Sequence, residues 1–326
     1  MQDQLARFIA ERTGGPAEVD ELVRIPGGFS YETWRLRARW SEGGARREER
    51  LIMRRAPRGG VLEPYDASKE FRVLQALGET PVPAPRALWL EATGAVLGTS
   101  FYLMELVVGE IPLPWDESIP SEVRAAMHAA FVDALADLHR VDWAAGNLQF
   151  LGVPADPGDP AALELDRCRE LLGRIALRPY PVLHEVIAWL DERRPRCPRL
   201  TLVHDEYRMG NFVWRDGRIA AVLDWERTFI GDPMADIAFS RLEGLAGWCR
   251  VDGPMAARYA TRAGIAIDEE RVAFYRVLEQ LKATLVGLTG LKAFTEGRTS
   301  DLRLVQIGRG VHQAIPLLAD AIGLGR

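Results

Sequence analysis

The stretch from Leu200 to Ile237 constrains this chain more than any other. Two apolar runs, Leu200-Thr201-Leu202-Val203 and Ile219-Ala220-Ala221-Val222-Leu223, each end in a polar cluster, His204-Asp205-Glu206 and Asp224-Trp225-Glu226. Phe212-Val213-Trp214 and the second run are joined by Arg215-Asp216-Gly217-Arg218, whose Asp-Gly pair is a strong hairpin signal. Helical periodicity flanks this insert. Val123, Met127, Phe131, Leu135 and Leu138 fall on one stripe, and Phe274, Leu278, Leu281, Leu285 and Leu288 repeat the pattern later. The N-terminal third reads differently. It predicts a Pro-Gly-Gly turn and strand over Ile25 to Arg37, a strand Leu51 to Arg55 and a helix Ala67 to Leu77. Further strands follow around Leu88 and around Phe101 to Met104, for the order β-β-α-β-β. The expectation is an α+β chain of two lobes, a small β-rich lobe over 1–107 and a larger helical lobe over 108–326.

Glu206 precedes Asn211 by five positions, and Asp224 lies thirteen residues further on. An acid and an Asn at that spacing share one turn of a phosphoryl-transfer loop. The chemistry asks for these residue types. A carboxylate orients the attacking hydroxyl and can take its proton, while an Asn oxygen and a second carboxylate hold Mg²⁺ against phosphates. The hairpin would bring Asn211 and Asp224 to neighbouring strand ends. The N-terminal lobe carries a second pattern. Glu70, Leu74 and Leu77 recur at i, i+4 and i+7, so a carboxylate faces inward from the predicted helix and needs a cationic partner. Arg54 on the preceding strand is the natural candidate, with Arg55 as the alternative. Gly27-Gly28 with Ser30 would let backbone N–H groups approach phosphate. His139 reads as a core histidine, His204 as a residue that orders its loop, and Asp232 and Asp236 as caps.

In this order the chain resembles the aminoglycoside phosphotransferase and choline kinase group of small-molecule kinases, which share the protein-kinase-like fold. Ile25 to Ser30 is similar to the group's phosphate loop, Leu51 to Pro57 to its cation strand, and Glu70 to Leu74 to its helix glutamate motif. Phe101 to Glu105 resembles the hinge, and the resemblance implies that Met104, Glu105 and Val107 face adenine. Leu135 to His139, Leu223 to Glu226 and Gly231 to Asp236 follow the group's later motifs. Tyr207-Arg208-Met209-Gly210-Asn211 and Asp224-Trp225-Glu226 are most similar to phosphotransferase domains found beside acyl-CoA dehydrogenases. The resemblance implies ATP or GTP as phosphate donor, Mg²⁺ on Asn211 and Asp224, and a nucleotide contact set of Gly28, Ser30, Arg54 and Glu70. It also implies a hydroxylated small molecule as acceptor. One departure stands at its centre. The group reads His-Gly-Asp where this chain has His204-Asp205-Glu206. Glu206 would act as base on a displaced substrate, or Asp205 would swing in, or catalysis would be weak or lost with nucleotide binding retained.

Composition removes other classes. Lys and Arg total 41 against 46 Asp and Glu, a net charge of −5, so nucleic-acid binding through phosphate neutralisation is not expected. No apolar run approaches the ~20 residues that cross a bilayer. The N-terminus lacks a secretion pattern, and three Cys without metal-ligand spacing predict a reducing cytoplasm. Lysine occurs only at Lys69, Lys282 and Lys292, so work usually given to lysine falls to arginine here.

Overall fold

The computed structural model describes residues 1–116, 118–242 and 247–324. Helix α1 (Gln2–Thr13) precedes strands β1 (Ala17–Arg24), β2 (Glu32–Glu42) and β3 (Ala45–Arg55), helix α2 (Ala67–Leu77), and strands β4 (Ala87–Glu91) and β5 (Phe101–Glu105). The strands form one antiparallel sheet in the order β1-β2-β3-β5-β4. Strand alternation divides its faces. Leu36, Ala38 and Trp40 of β2, Leu51 and Met53 of β3, and Phe101 and Leu103 of β5 pack with Leu5, Phe8 and Ile9 of α1 in a closed small core. The intervening residues face the other way. Arg54 stands opposite Tyr102 on the neighbouring strand, and the Tyr102 ring packs edge-on against Phe71 of α2 with centroids 6.1 Å apart. Alternation therefore selects Arg54, not Arg55, for the α2 side. Arg55 turns to Thr99, the Leu97 carbonyl and Glu32 instead.

Helix α2 starts where the Asp66 side chain accepts the Ser68 N–H, and it buries Ala67, Glu70, Phe71, Val73, Leu74 and Leu77. Its bounds are those that the sequence predicts. Helix α1 and strand β1 have no counterpart in that reading, and β2 begins at Glu32 rather than at Ile25. Residues 25–31 are the turn alone, with Gly27 and Gly28 at φ 121° and 59°.

Past β5 the chain is mainly helical: α3 (Ser121–Leu138), α4 (Pro160–Ile175), α5 (Pro181–Glu192), α6 (Met234–Phe239), α7 (Gly253–Ala263), α8 (Glu269–Thr295) and α9 (Leu302–Ala321). Of these, only α3 and α8 have a counterpart in the sequence reading. The stripe on α3 is buried from Met127 to Leu138, but Val123 is exposed, because the first turn projects beyond the core. Helix α8 is the pillar of this part and packs against α4, α5, α6 and α9. Its inward face carries Leu278, Leu281, Leu285 and Leu288, all buried in the main core.

Inside the helical part lie two small antiparallel pairs. Strand β6 (Thr201–Val203) pairs with β9 (Phe229–Gly231), and β7 (Phe212–Arg215) pairs with β8 (Arg218–Val222). Asp216 and Gly217 at the β7–β8 turn take φ 52° and 71°, as the Asp-Gly signal requires. The connector after β5 docks on this hairpin through reciprocal Glu110–Trp214 backbone hydrogen bonds of 2.8 and 2.7 Å. Gly109 makes that approach feasible, since a Cβ there would lie 2.4 Å from the Trp214 carbonyl oxygen. Among the described residues no helix is long and apolar enough to cross a membrane.

Candidate active site

Arg54 is the centre of the first cluster. Its Nη2 donates to Glu226 Oε2 at 2.8 Å and to Asp224 Oδ1 at 3.0 Å, and lies 3.5 Å from Glu70 Oε2. The guanidinium also sits 5.1 Å from the centroid of the Tyr31 ring. Glu70 reaches across to the second part of the chain, where its Oε1 accepts the Trp225 N–H at 3.1 Å. Ser30 donates to Glu226 Oε2, so this hydroxyl points into the cluster. Burial opposes the charge on Arg54, yet Glu70, Asp224 and Glu226 outweigh it and hold its pKa well above the ordinary value. Burial, joined by Asp224 and Glu70, pushes the Glu226 carboxyl up to about 8 against the pull of Arg54. Arg54 Nε and Glu70 Oε2 are buried without a hydrogen-bond partner. Even with Glu226 protonated, two carboxylates face one cation. A polar group left so is costly to bury, and a cation with phosphate oxygens would complete both sides.

The hairpin brings Asn211 and Asp224 together: the Leu223 N–H donates to the Asn211 carbonyl at 2.8 Å, one residue before Asp224. Asn211 Nδ2 donates to the Glu206 carbonyl at 3.0 Å, which leaves its Oδ1 as the atom available to a cation. Asp224 holds φ 64° at the start of a short 3₁₀ turn, Trp225–Arg227. Met104 and Glu105 end β5, with the Glu105 N–H bonded to Arg86 O and the Leu106 N–H to Arg50 O; Val107 follows outside the ladder. Among the described residues no three or more His, Cys, Asp or Glu side chains form a metal site by themselves. Mg²⁺ held by one or two protein oxygens and substrate phosphates needs no such cage.

The loop from His204 to Asn211 is held from below. Asp236 accepts the His204 N–H at 2.8 Å and the Asp205 N–H at 2.9 Å. Asp236 is in turn bonded by buried His139 at 3.1 Å, whose Nδ1 meets Tyr259 Oη at 2.6 Å. His204 Nε2 lies 2.8 Å from the Leu223 carbonyl while its Nδ1 accepts the Glu206 N–H, which is the pattern of a neutral Nε2–H ring. His139 is thus a satisfied core histidine and His204 a loop-ordering one. Asp232 accepts the Met234 N–H and a hydrogen bond from Arg271.

A second charge cluster surrounds the two candidate acids. Arg227 donates from Nε to Asp205 Oδ2 at 2.9 Å and from Nη1 to Glu206 Oε1 at 3.2 Å, and its Nη2 approaches Glu279 at 3.5 Å. Lys282 of α8 bonds Asp205 Oδ1 and reaches Glu279 at 3.1 Å and Glu164 at 3.3 Å. Glu164 also pairs with Arg167. Burial would raise the Asp205 carboxyl, but Arg227 and Lys282 keep it below the usual range. Burial and the Asp205 charge push the Glu279 carboxyl well above it, against the pull of Lys282 and Arg227. Glu206 keeps about a fifth of its side chain exposed, against 3% for Asp205.

Beside this cluster opens a cavity of about 390 Å³ between α2, α4 and α8. Lys69, Asp205, Glu226 and Lys282 line it together with Leu171 and Leu285. Asp205 lines this space and Glu206 does not. Its φ of 70° and the bond from Lys282 hold the Asp205 carboxylate toward α8. Lys69 donates to the Glu226 carbonyl at 2.9 Å, and burial with the nearby Arg167 charge lowers its amine to about 8. Glu226, Arg227, Lys69 and Lys282 had no role in the sequence reading. One signal was available: two of only three lysines in the chain line this cavity.

A family model for the phosphotransferase enzyme family matches residues 21–275. Among curated proteins, the chain is 32% identical over 251 residues to mouse acyl-CoA dehydrogenase family member 10, covering 74% of this chain and 22% of that one. It is 28% identical over 248 residues to an aminoglycoside 3'-phosphotransferase of Streptomyces fradiae, covering 73% and 88%. The chain spans less than a third of the length of the acyl-CoA dehydrogenase relatives it matches. Among solved structures, a Ralstonia eutropha protein assigned to the aminoglycoside phosphotransferases superposes with a TM-score of 0.68 at 22% identity, covering 99% and 98%. Aminoglycoside phosphotransferase APH(4)-Ia, in a ternary complex with AMP-PNP and hygromycin B, gives 0.55 at 16% identity, covering 98% and 99%. The fold is protein-kinase-like and α+β, and the chain belongs to the phosphotransferase enzyme family.

Proposed function

We propose that this phosphotransferase moves the terminal phosphoryl group of ATP or GTP to a hydroxyl of a small molecule, with Mg²⁺. The observation that carries the reading is the Arg54 cluster, where one cation faces Glu70, Asp224 and Glu226 across the junction of sheet and helices. That imbalance suits a site completed by a divalent cation and phosphates. Gly28 and Ser30 would approach the phosphates, Arg54 held by Glu70 would contact them, and the backbone of Met104, Glu105 and Val107 would receive the base. Asn211 and Asp224 offer hard oxygen donors for Mg²⁺, which when bound neutralises phosphate charge. Glu206 would hold the acceptor hydroxyl. Arg227 occupies its Oε1 and leaves Oε2 free to take the proton as the oxygen attacks phosphorus. On this reading residues 1–107 form the nucleotide lobe and 108–326 the catalytic and acceptor lobe, in a cytoplasmic protein. The AMP-PNP and hygromycin B found in a structural neighbour support a donor nucleotide and a compact hydroxylated acceptor.

The test has two parts. Calorimetric titration with Mg-AMP-PNP should give binding that Asp224→Asn removes. A nucleotide-consumption screen over hydroxylated metabolites and antibiotics should then find an acceptor. One observation favours a second reading, nucleotide binding without transfer: Arg227 pairs with both acids of the loop. Nucleotide binding with no acceptor and no turnover in the screen would select it.

A further inference from the structure

Asp205 stands at φ 70°, a left-handed conformation that a non-glycine residue adopts at a cost absent for glycine. Something must hold it there, and three contacts do. Asp236 accepts its N–H, Arg227 grips Oδ2, and Lys282 grips Oδ1. Arg227 is shared, because the same guanidinium bonds Glu206 Oε1. A rigid chain of contacts thus runs from α8, through Lys282 and Asp205, to Arg227 and the Glu206 carboxylate. Lys282 is itself immobilised by Glu279 and Glu164 and sits 4.7 Å from the Phe229 ring centroid.

We infer that Lys282 is a positioning residue for the transfer reaction: it clamps Asp205 so that Arg227 presents the Glu206 carboxylate at a fixed place. The inference rests on the proposed phosphotransfer and goes beyond it, since Lys282 lies on a helix 76 positions after Glu206 in sequence and makes no contact with it. Charge arithmetic explains why the clamp needs a cation. Lys282 faces Asp205, Glu279 and Glu164, while Arg227 faces Asp205, Glu206 and Glu279. Removing Lys282 leaves Asp205 Oδ1 buried without its cationic donor, and the loop must move to solvate it. Removing the Asp205 carboxylate as well abolishes that need.

The experiment is a double-mutant cycle on Lys282→Met and Asp205→Gly in the full chain. Turnover of Mg-ATP is measured with water as acceptor, beside Mg-ATP affinity by calorimetry. Lys282→Met should cut turnover about tenfold or more, since misplacement of about 1 Å costs on the order of a hundredfold, with nucleotide affinity within about twofold. Asp205→Gly should cost about threefold, and adding Lys282→Met to it should cost less than about twofold more. Insoluble Lys282→Met beside a soluble, active double variant supports the inference equally. Unchanged turnover in Lys282→Met overturns it. So does a tenfold loss that persists in the Asp205→Gly background, or one matched by lost nucleotide affinity. Wild-type protein that binds Mg-ATP but turns nothing over, with water or in the acceptor screen, overturns the phosphotransfer reading and this inference together.

Discussion

Two clusters of buried charge share the turn from Asp224 to Arg227, and they are balanced in opposite ways. Around Arg54, Glu70, Asp224 and Glu226 outnumber the cation, and two polar atoms lie buried without a hydrogen bond. Around Arg227 and Lys282, every carboxyl group has a cationic neighbour. Both clusters are costly to bury. The balanced one is complete without a ligand, so it fixes its members in place and presents Glu206. The unbalanced one is completed by something that arrives from outside, and a divalent cation with phosphates has the charge and the oxygen chemistry for it.

The largest expected effect breaks the unbalanced cluster. Asp224→Asn removes one carboxylate and should lower turnover about 10³-fold or more, since electrostatic stabilisation is the main term in phosphoryl transfer. The same variant should lose ligand-induced stabilisation. Mg-ATP at about 100 times its Kd should stabilise wild type by about 2.7 kcal/mol in thermal unfolding, and Asp224→Asn by almost nothing. Equal stabilisation of the two proteins would remove Asp224 from the site.

Glu206→Gln tests the balanced cluster, because it deletes the charge that Arg227 presents. Turnover should fall about 10²–10⁴-fold, the usual worth of a general base, with nucleotide affinity little changed. Asp205→Asn should fall short of that, since Asp205 holds the loop without taking the proton. If kinetics rank the two in reverse, Asp205 is the base and the cavity it lines receives the hydroxyl.

Arg54→Ala should weaken Mg-ATP binding by about tenfold, one charge-assisted contact in free-energy terms. Arg55→Ala, whose side chain turns to Thr99 and Glu32, should leave that affinity within about twofold. Calorimetry on the pair decides whether strand alternation has been read correctly.

The smallest effect is a pH dependence. Lys69 titrates near 8 in the folded chain and at about 10.4 when unfolded. Between those values the unfolded chain binds more protons, so this group makes stability rise with pH. Below pH 8 its buried charge is a cost in full. Lys69→Met should therefore be stabilising at pH 7 and lose that advantage by about pH 10. Urea unfolding of both proteins across this range checks it, and a gain independent of pH would mean that Lys69 titrates normally.

Much of this was legible in one dimension because the relevant signals are local. The period of Glu70, Leu74 and Leu77 sets a helix face, and the bounds of α2 follow from it. The Asp216-Gly217 turn sets the β7–β8 register and so brings Asn211 beside Asp224. Helix α1 and strand β1 were not legible. Three apolar side chains on α1 have meaning only against the sheet face they cover, and β1 is held mainly by its ladder with β2. Tertiary structure alone decided the two charge clusters. Lys282, Glu279 and Glu164 come from helices far from His204-Asp205-Glu206 in sequence, and a carboxylate's protonation depends on what surrounds it in space. The choice of Arg54 over Arg55 is intermediate: alternation alone allows either face, and only the α1 core on one side leaves the other for the site. Sequence determined which elements form and which residue types stand near the chemistry. Packing decided which charges meet, because Coulomb and desolvation energies depend on distance and burial, and neither is written in the order of residues.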